Sequence, residues 1–566
     1  MRSRSIKTDK VKKIDARNLW TNSILILGML GSSACSTASA LWGIQLTPTP
    51  FISGQGNGNS DTYPSPLIQA TPLPTQALIH PTKPPPIESP TAFPEPTSQE
   101  IIQLATSDNT AILYYSQSGD TLSNVASRFG LEETEITSSG SLPHDGMIDP
   151  GTLLVIPGRI DEPTTPNIQI LPDSEVIFSA SSLDFNISDY INEQHGYLST
   201  FRDYVGSVGW LQGDEAIRRL AYDNSVNPRL LLALLEYESR WVRSQPVNTI
   251  QTDFPMGYQD YRAKGRLTIQ MNWAVTQLFH GYYGWRAGKL THLKFEDGTQ
   301  LRIDPRLNAG TVALQYLFSK LNSQSKWSQI IDERSGFPAL YSEMFGDPWT
   351  RSELVNPIFP PGLSQPQMVL PFEPKVEWNL ISGPHGAWIG QERDEKGNFA
   401  PVDINLAALD FGPSTAHGGC EITPTWVVAA MSGLVVRSAN GIVMIDADGD
   451  GHEQTGWNLM FLHIATKDRI SLGTWVDVDN RIGHASCEGG VSMGTHTHIA
   501  RKYNGEWISA DGPIPFVLSG WQAVEGDKPY QGKLINGDEV IVASSVGEKW
   551  ANIFRESDGE ENTIFQ

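Results

Sequence analysis

Apolar residues along the chain follow two different periods, and the period changes once. Over 216–221, 228–240, 273–278 and 309–321 they recur every three to four positions, which predicts helices. Residues 176–360 therefore read as mainly helical. From about residue 366 the pattern shifts to short β-rich runs, GLVVRS, IVMIDA, NLMFLHI and HTHIARKY, separated by turn residues. Asn440-Gly441 and Asn504-Gly505 are hairpin signals, because Asn and Gly accept the positive φ of a two-residue loop. Residues 112–158 make a small unit of their own. A short apolar strand leads into Gly119-Asp120-Thr121, Thr121 is placed to cap a helix, and Leu122, Val125, Ala126 and Phe129 have helical spacing. A second short helix and a strand at 153–156 complete a βααβ order. Residues 44–105 follow neither period. They hold 13 of the 38 prolines among Thr, Ser and Gly, and cannot bury enough apolar area to order themselves. They read as an extended spacer.

The first residues add an export signal. Seven Lys/Arg stand against Asp9 and Asp15 within residues 1–20, followed by an apolar run at 24–30. That run is too short for a membrane span of about 20 residues, and the order basic, apolar, small is that of a secretory leader. Three outcomes stay open. Ser33-Ala34-Cys35 resembles a lipobox that would place a lipid on Cys35, with Ser32 where Leu is usual. Ala38-Ser39-Ala40 fits ordinary signal-peptidase cleavage, and an uncleaved anchor is the third. Charge narrows the partners: 41 basic against 63 acidic residues leave −22, so the basic footprint of a nucleic-acid binder is missing. Three cysteines exclude a disulfide scaffold. In an exported chain Cys420 and Cys487 are expected to pair, leaving Cys35 for the lipid.

The expected plan is a leader at 1–40, a Pro/Thr-rich linker at 41–108, a small unit at 109–160, a helical domain at 170–360 and a β domain with a C-terminal extension at 366–566. The fold class is multidomain α+β. The small unit resembles the LysM module on Ser118-Gly119-Asp120-Thr121-Leu122, Phe129-Gly130 and the run IDPGTLLVIP at 148–157. The resemblance implies binding to an N-acetylglucosamine-containing glycan such as peptidoglycan. The usual Asn after the second helix is absent. The helical stretch LLLALLEYESRWV resembles the lysozyme-like lytic transglycosylases, in which a Glu-Ser pair ends an apolar helix; here it is Glu238-Ser239. A carboxyl in apolar surroundings has the raised pKa a glycosidic acid needs, so Glu238 is a candidate glycosidase acid. The family's Gly-Leu-Met-Gln stretch is not visible, and a fold kept only for glycan binding is the competing reading.

The β domain carries the metal chemistry. His496 and His498 lie two apart on a predicted strand and face one side of it. Two imidazoles and one carboxylate satisfy a catalytic zinc, which keeps a fourth position open. The constellation resembles the lysostaphin/LytM-type zinc endopeptidases on Ala408-Leu409-Asp410-Phe411, Leu462-His463 and Gly494-Thr495-His496-Thr497-His498. The resemblance implies an antiparallel all-β fold, Zn2+ on Asp410 and His498, and catalytic roles for His463 and His496. The family's first ligand would fall at position 406, which is Leu here. His385, in Ser382-Gly383-Pro384-His385, is the expected replacement, with His417 or a degenerate, zinc-poor site as the alternatives. His484 reads as structural. Asp446-Ala447-Asp448-Gly449-Asp450-Gly451 resembles the start of a calcium loop, but its twelfth position is Trp457 and not Glu, so a hairpin turn is the expectation.

These readings lead to an exported, cell-envelope zinc metalloendopeptidase acting on the stem peptides of peptidoglycan, held on its glycan by the LysM unit. Contact with a membrane would run only through a lipid on Cys35. Two rivals stand beside it: a non-catalytic glycan-binding protein that scaffolds another hydrolase, and a bifunctional enzyme that also cuts glycan through Glu238.

Overall fold

The computed structural model describes residues 111–556 except 207, 389–391, 394–398, 401–402 and 417–418. The expected leader, the linker, Cys35 and His417 lie outside the described residues. Among those described, no helix is long and apolar enough to cross a membrane.

In the small unit, β1 (Ala111–Tyr115) pairs antiparallel with a later strand across a single helix, α1 (Leu122–Phe129). Thr121 and Asn124 cap α1 reciprocally, and Gly130 ends it in the left-handed region at φ 69°. The expected second helix is not formed. A 3₁₀ turn at Glu133–Glu135 stands in its place, followed by β2 (Thr137–Ser138) beside β3 (Leu153–Pro157). The run Thr137-Ser138-Ser139-Gly140-Ser141 explains the difference, since Ser and Thr compete for backbone hydrogen bonds and Gly disfavours helix.

The helical region is built on α2 (Gly213–Asn224), α3 (Pro228–Ser239), α4 (Leu267–Arg286) and α5 (Ala309–Leu321). Asn227 caps α3, Pro228 opens it where no N–H is needed, and Leu230 to Leu235 are fully buried. The small unit is bonded to α4 and not merely tethered. Asn124 Nδ2 donates to the Arg286 carbonyl at 2.8 Å, Arg302 Nη2 donates to the Arg128 carbonyl at 3.0 Å, and the Arg128 guanidinium lies 5.1 Å from the Trp285 ring.

The β region centres on one antiparallel sheet. Its strands are β4 (Trp378–His385), β5 (Ala408–Pro413), β6 (Gly433–Ala439), β7 (Ile442–Asp446), β8 (Trp457–Leu462) and β9 (Thr497–Tyr503). Their spatial order is β6-β7-β8-β9-β5-β4, flanked by Trp475–Val476 and Asn552–Ile553. Both Asn-Gly pairs form two-residue turns, with φ 51° and 76° at 440–441 and 47° and 82° at 504–505.

Both faces of this sheet are buried. Val435, Val443, Ile445, Leu459, Phe461 and Ile499 join the core of the β region, whereas Val436, Ile442, Met444, Met460, Leu462 and Ala500 join the core of the helical region. The Asn504-Gly505 turn is pressed into the helical region: Ser225 Oγ donates to the Gly505 carbonyl at 2.8 Å, and a Cβ at Gly505 would sit 2.1 Å from the Phe178 carbonyl oxygen. Buried charges are matched across the contact. Arg437 reaches Asp223 and Glu453, each at 2.8 Å, and Lys502 reaches Glu453 at 3.0 Å. Tyr282 and Arg286 donate to Glu506 at 2.7 and 3.1 Å. Removing one partner strands buried charge, so Arg437→Ala is expected to lower stability by about 3–5 kcal/mol. Denaturant midpoints of wild type and variant measure this, and a loss within the range of an ordinary surface substitution would show that the cluster does not couple the two regions.

Candidate metal centre

Three donors converge where β4, β5 and β9 lie side by side. Asp410 on β5 stands opposite His498 on β9, so both side chains leave the same face. His385 ends β4, whose register against β5 shifts between Ala408 and Asp410. This irregularity turns His385 toward the pair. His385 Nε2 lies 3.1 Å from His498 Nδ1 and 3.2 Å from Asp410 Oδ1, and His498 Nδ1 lies 3.1 Å from Asp410 Oδ1. Tetrahedral zinc with bonds of about 2.0–2.2 Å separates its ligands by about 3.3–3.6 Å, so the triangle matches one face of such a site to within a few tenths of an ångström. Carbonyls hold both imidazoles. His385 Nδ1 donates to the Gly383 carbonyl and His498 Nε2 to the Ala387 carbonyl, both at 2.9 Å, which leaves His385 Nε2 and His498 Nδ1 with free lone pairs toward the centre. Leu406 is buried, and its carbonyl accepts from Ala510 N at 2.8 Å.

Two further histidines border the triangle. His463 follows β8 in the left-handed region at φ 65°, an uncommon conformation for a side-chain-bearing residue. Its Nδ1 donates to the Glu488 carbonyl at 2.8 Å, and His496 Nδ1 donates to the Gly494 carbonyl at 2.7 Å. Both rings thus keep Nε2 as the acceptor. Their centroids are 4.4 Å apart, and His496 Nε2 lies 3.8 Å from Asp410 Oδ1. Burial, with His496 and His498 adding to it, pushes the His463 imidazole down to about 3 and keeps it neutral. Burial also lowers His498, although the Asp410 charge opposes this. Burial opposes ionisation of Asp410, but the neighbouring imidazoles of His385, His496 and His498 outweigh it and hold the carboxyl well below its ordinary range.

Cys420 and Cys487 form a disulfide with Cα atoms 5.4 Å apart. It joins two loops that support the site. Thr495 N, next to His496, donates to the Gly419 carbonyl at 2.9 Å, and Glu488, next to Cys487, holds His463. His484 stands apart, bonded to the Thr425 carbonyl and set 4.0 Å from the Trp426 ring. One neighbour has no forewarning in the sequence. Tyr530 stacks on His385 at 4.4 Å, and its backbone bonds to Gly383 and Pro384. It belongs to the C-terminal extension, and no motif surrounds it.

Residues 169–358 match the family model for the LasA N-terminal domain. A lysozyme-like domain was the expectation for this stretch, and the family model it matches is a different one. Residues 117–157 match the LysM domain. Protease LasA from two Pseudomonas aeruginosa strains is 24% and 25% identical over 51% of this chain. The match spans 65% of the length of each relative. Among solved structures, the M23 metalloprotease pseudoalterin from the deep sea is 20% identical, covering 34% of this chain and 100% of its own, with a TM-score of 0.26. The catalytic domain of lysostaphin from Staphylococcus simulans is 18% identical, covering 24% and 89%, with a TM-score of 0.16.

Glu238 lies in the LasA-like region at the end of α3, where a Cβ at Gly257 would sit 3.2 Å from its Oε2. Burial pushes its carboxyl up to about 7, and Lys326 offsets this only in part. A carboxyl whose folded pKa exceeds its unfolded value favours folding below the unfolded pKa and loses that contribution as pH rises through the folded pKa. Glu238→Gln is therefore expected to match the wild-type Tm near pH 4 and to exceed it at pH 8. Equal Tm values at pH 8, read by calorimetry, would remove the buried-carboxyl assignment.

Proposed function

We propose that the chain is an exported zinc metalloendopeptidase that hydrolyses the peptide crosslinks of peptidoglycan, with the LysM unit holding it on the glycan. The observation that carries this reading is the convergence of His385, Asp410 and His498 beside two imidazoles whose Nε2 atoms are free. The relatives named Protease LasA support a peptidase. The donor set, two imidazoles and one carboxylate, fits zinc with one coordination position open. Bound there, zinc supplies Lewis acidity, which lowers the pKa of water and polarises a carbonyl.

The chain's own residues supply the rest. The Gly383 and Ala387 carbonyls fix the tautomers of the two imidazole ligands, and Asp410 supplies the one negative charge of the triangle. His463 is neutral, so its Nε2 can accept a proton as the amide is attacked and return it to the departing amine. His496, held by the Gly494 carbonyl, orders the same side of the site and steadies charge developing on the amide oxygen. The disulfide and the Glu488 carbonyl keep both rings in register with the triangle.

Purified protein is expected to hold about one zinc per chain and to release peptide fragments from sacculi. His498→Ala should lose both. His463→Ala should retain zinc and lose release by about 10²–10⁴-fold. Full metal content in His498→Ala, or undiminished release by His463→Ala, would overturn the reading. The glycan-cutting rival rests on the raised pKa of Glu238. Mass spectrometry of the same digests separates the two, because cleaved sugar chains that vanish in Glu238→Gln would add that second activity.

A further inference from the structure

A second cluster of hard donors lies at the other end of the catalytic sheet. β8 runs from Trp457 to Leu462 and hands its chain to His463. The opposite end of that strand is joined to β7 by a loop that begins at Asp446, the last residue of β7, and ends before Trp457. The two strands pair as an antiparallel hairpin, but the connection between them is long. Ten residues, 447–456, separate them, and three carboxylates gather within the loop. One oxygen each from Asp446, Asp448 and Asp450 lies within 4.8 Å of the others.

Carboxylates that cluster on an exposed loop call for no ligand. The unusual member here is Asp446, which is 0% exposed. Its Oδ2 accepts from Gly451 N at 2.9 Å, but its Oδ1 is buried without a hydrogen-bond partner. Directly across the ladder stands Asn458, also 0% exposed. Its Nδ2 donates to the Thr455 carbonyl at 2.7 Å, while its Oδ1 is buried without a partner. Opposed residues of an antiparallel pair leave the same face of the sheet. Asp446 Oδ1 thus lacks a donor beside two more carboxylates, and Asn458 Oδ1 lacks one at the ladder position opposite Asp446. Burying an acceptor unpaired costs about 1–3 kcal/mol, and more if it is charged.

We propose that Asp446, Asp448, Asp450 and Asn458 bind a calcium ion that fastens the β7–β8 loop. All four donors are oxygen, which selects a hard cation and not zinc. Oxygens that all lie within 4.8 Å of one another can share one calcium, whose bonds run to about 2.4 Å. Magnesium demands a near-ideal octahedron, whereas calcium accepts the irregular oxygen shell that a loop supplies. Loop carbonyls and water complete the shell, since position twelve offers Trp457 and no bidentate Glu. Charge supports the same assignment: burial, then Asp448 and Asp450, push the Asp446 carboxyl up to about 7 when no cation is present. The site is separate from the zinc centre in donors and position, so it stands or falls independently of the peptidase reading.

A tryptophan provides the readout. The Trp475 indole lies against the loop, 2.7 Å from where a Cβ at Gly449 would be. Terbium, a luminescent stand-in for calcium, should give tryptophan-sensitised emission when added to the zinc-loaded chain. Calcium should quench that emission by displacement, and magnesium at the same concentration should not. Millimolar calcium should raise Tm by about 2–4 °C. Asp448→Asn combined with Asp450→Asn changes only exposed side chains, and should abolish both the emission and the Tm shift while leaving zinc content unchanged. Emission that persists in the double variant, or a wild-type Tm indifferent to calcium, would overturn the proposal and leave a proton shared between Asp446 and Asp448 as the account of the cluster.

Discussion

Everything in the β region depends on its central sheet having no solvent-facing side. An antiparallel sheet usually packs one face and wets the other. Here Met444, Met460, Leu462 and Ala500 need apolar cover as much as Leu459 and Phe461 do, and the helical region supplies it. Apolar cover alone would tolerate sliding. The Arg437–Asp223 and Arg286–Glu506 pairs fix the register, because a buried charge has few places where it can be satisfied. The metal triangle opens from that same face, so the helical region is part of what keeps its donors in place.

The candidate centre follows a second rule, that each imidazole is held by a backbone carbonyl. Gly383, Ala387, Glu488 and Gly494 provide four such acceptors. Carbonyls are placed by the chain, so the site is only as rigid as the loops that carry them. The Cys420–Cys487 bridge tightens two of those loops, and Tyr530 straps the segment bearing His385. Loop rigidity is therefore concentrated where proton positions matter.

Much of this was legible in the sequence. Period alone separates helices from strands, the Asn-Gly pairs mark two turns, and His496 and His498 announce a shared face. His385 was harder to place. It reaches the triangle through a register irregularity between β4 and β5, which no alternation pattern encodes, and only the missing histidine at Leu406 drew attention to it. Tyr530 was not legible, because an isolated tyrosine in a turn resembles any other. The second helix of the small unit gives way to a 3₁₀ turn because the Ser-rich run that follows favours turns. The Asp446 loop is hard to read from sequence. Its twelfth residue breaks the familiar pattern, and the substitute oxygen on Asn458 becomes relevant only once β7 and β8 are paired.

The bonding of the LysM unit to α4 has a geometric consequence. A module on a flexible leash lets its enzyme sample a sphere of targets around each anchoring point. With Asn124 and Arg128 locked to the helical region, the distance and angle between the LysM unit and the candidate metal centre are fixed dimensions of one body. On the proposed function such a body would work like a caliper: with one jaw on a sugar strand, the other would meet peptides at a single offset and orientation. The spacing of crosslinks in the wall would then decide which of them are within reach.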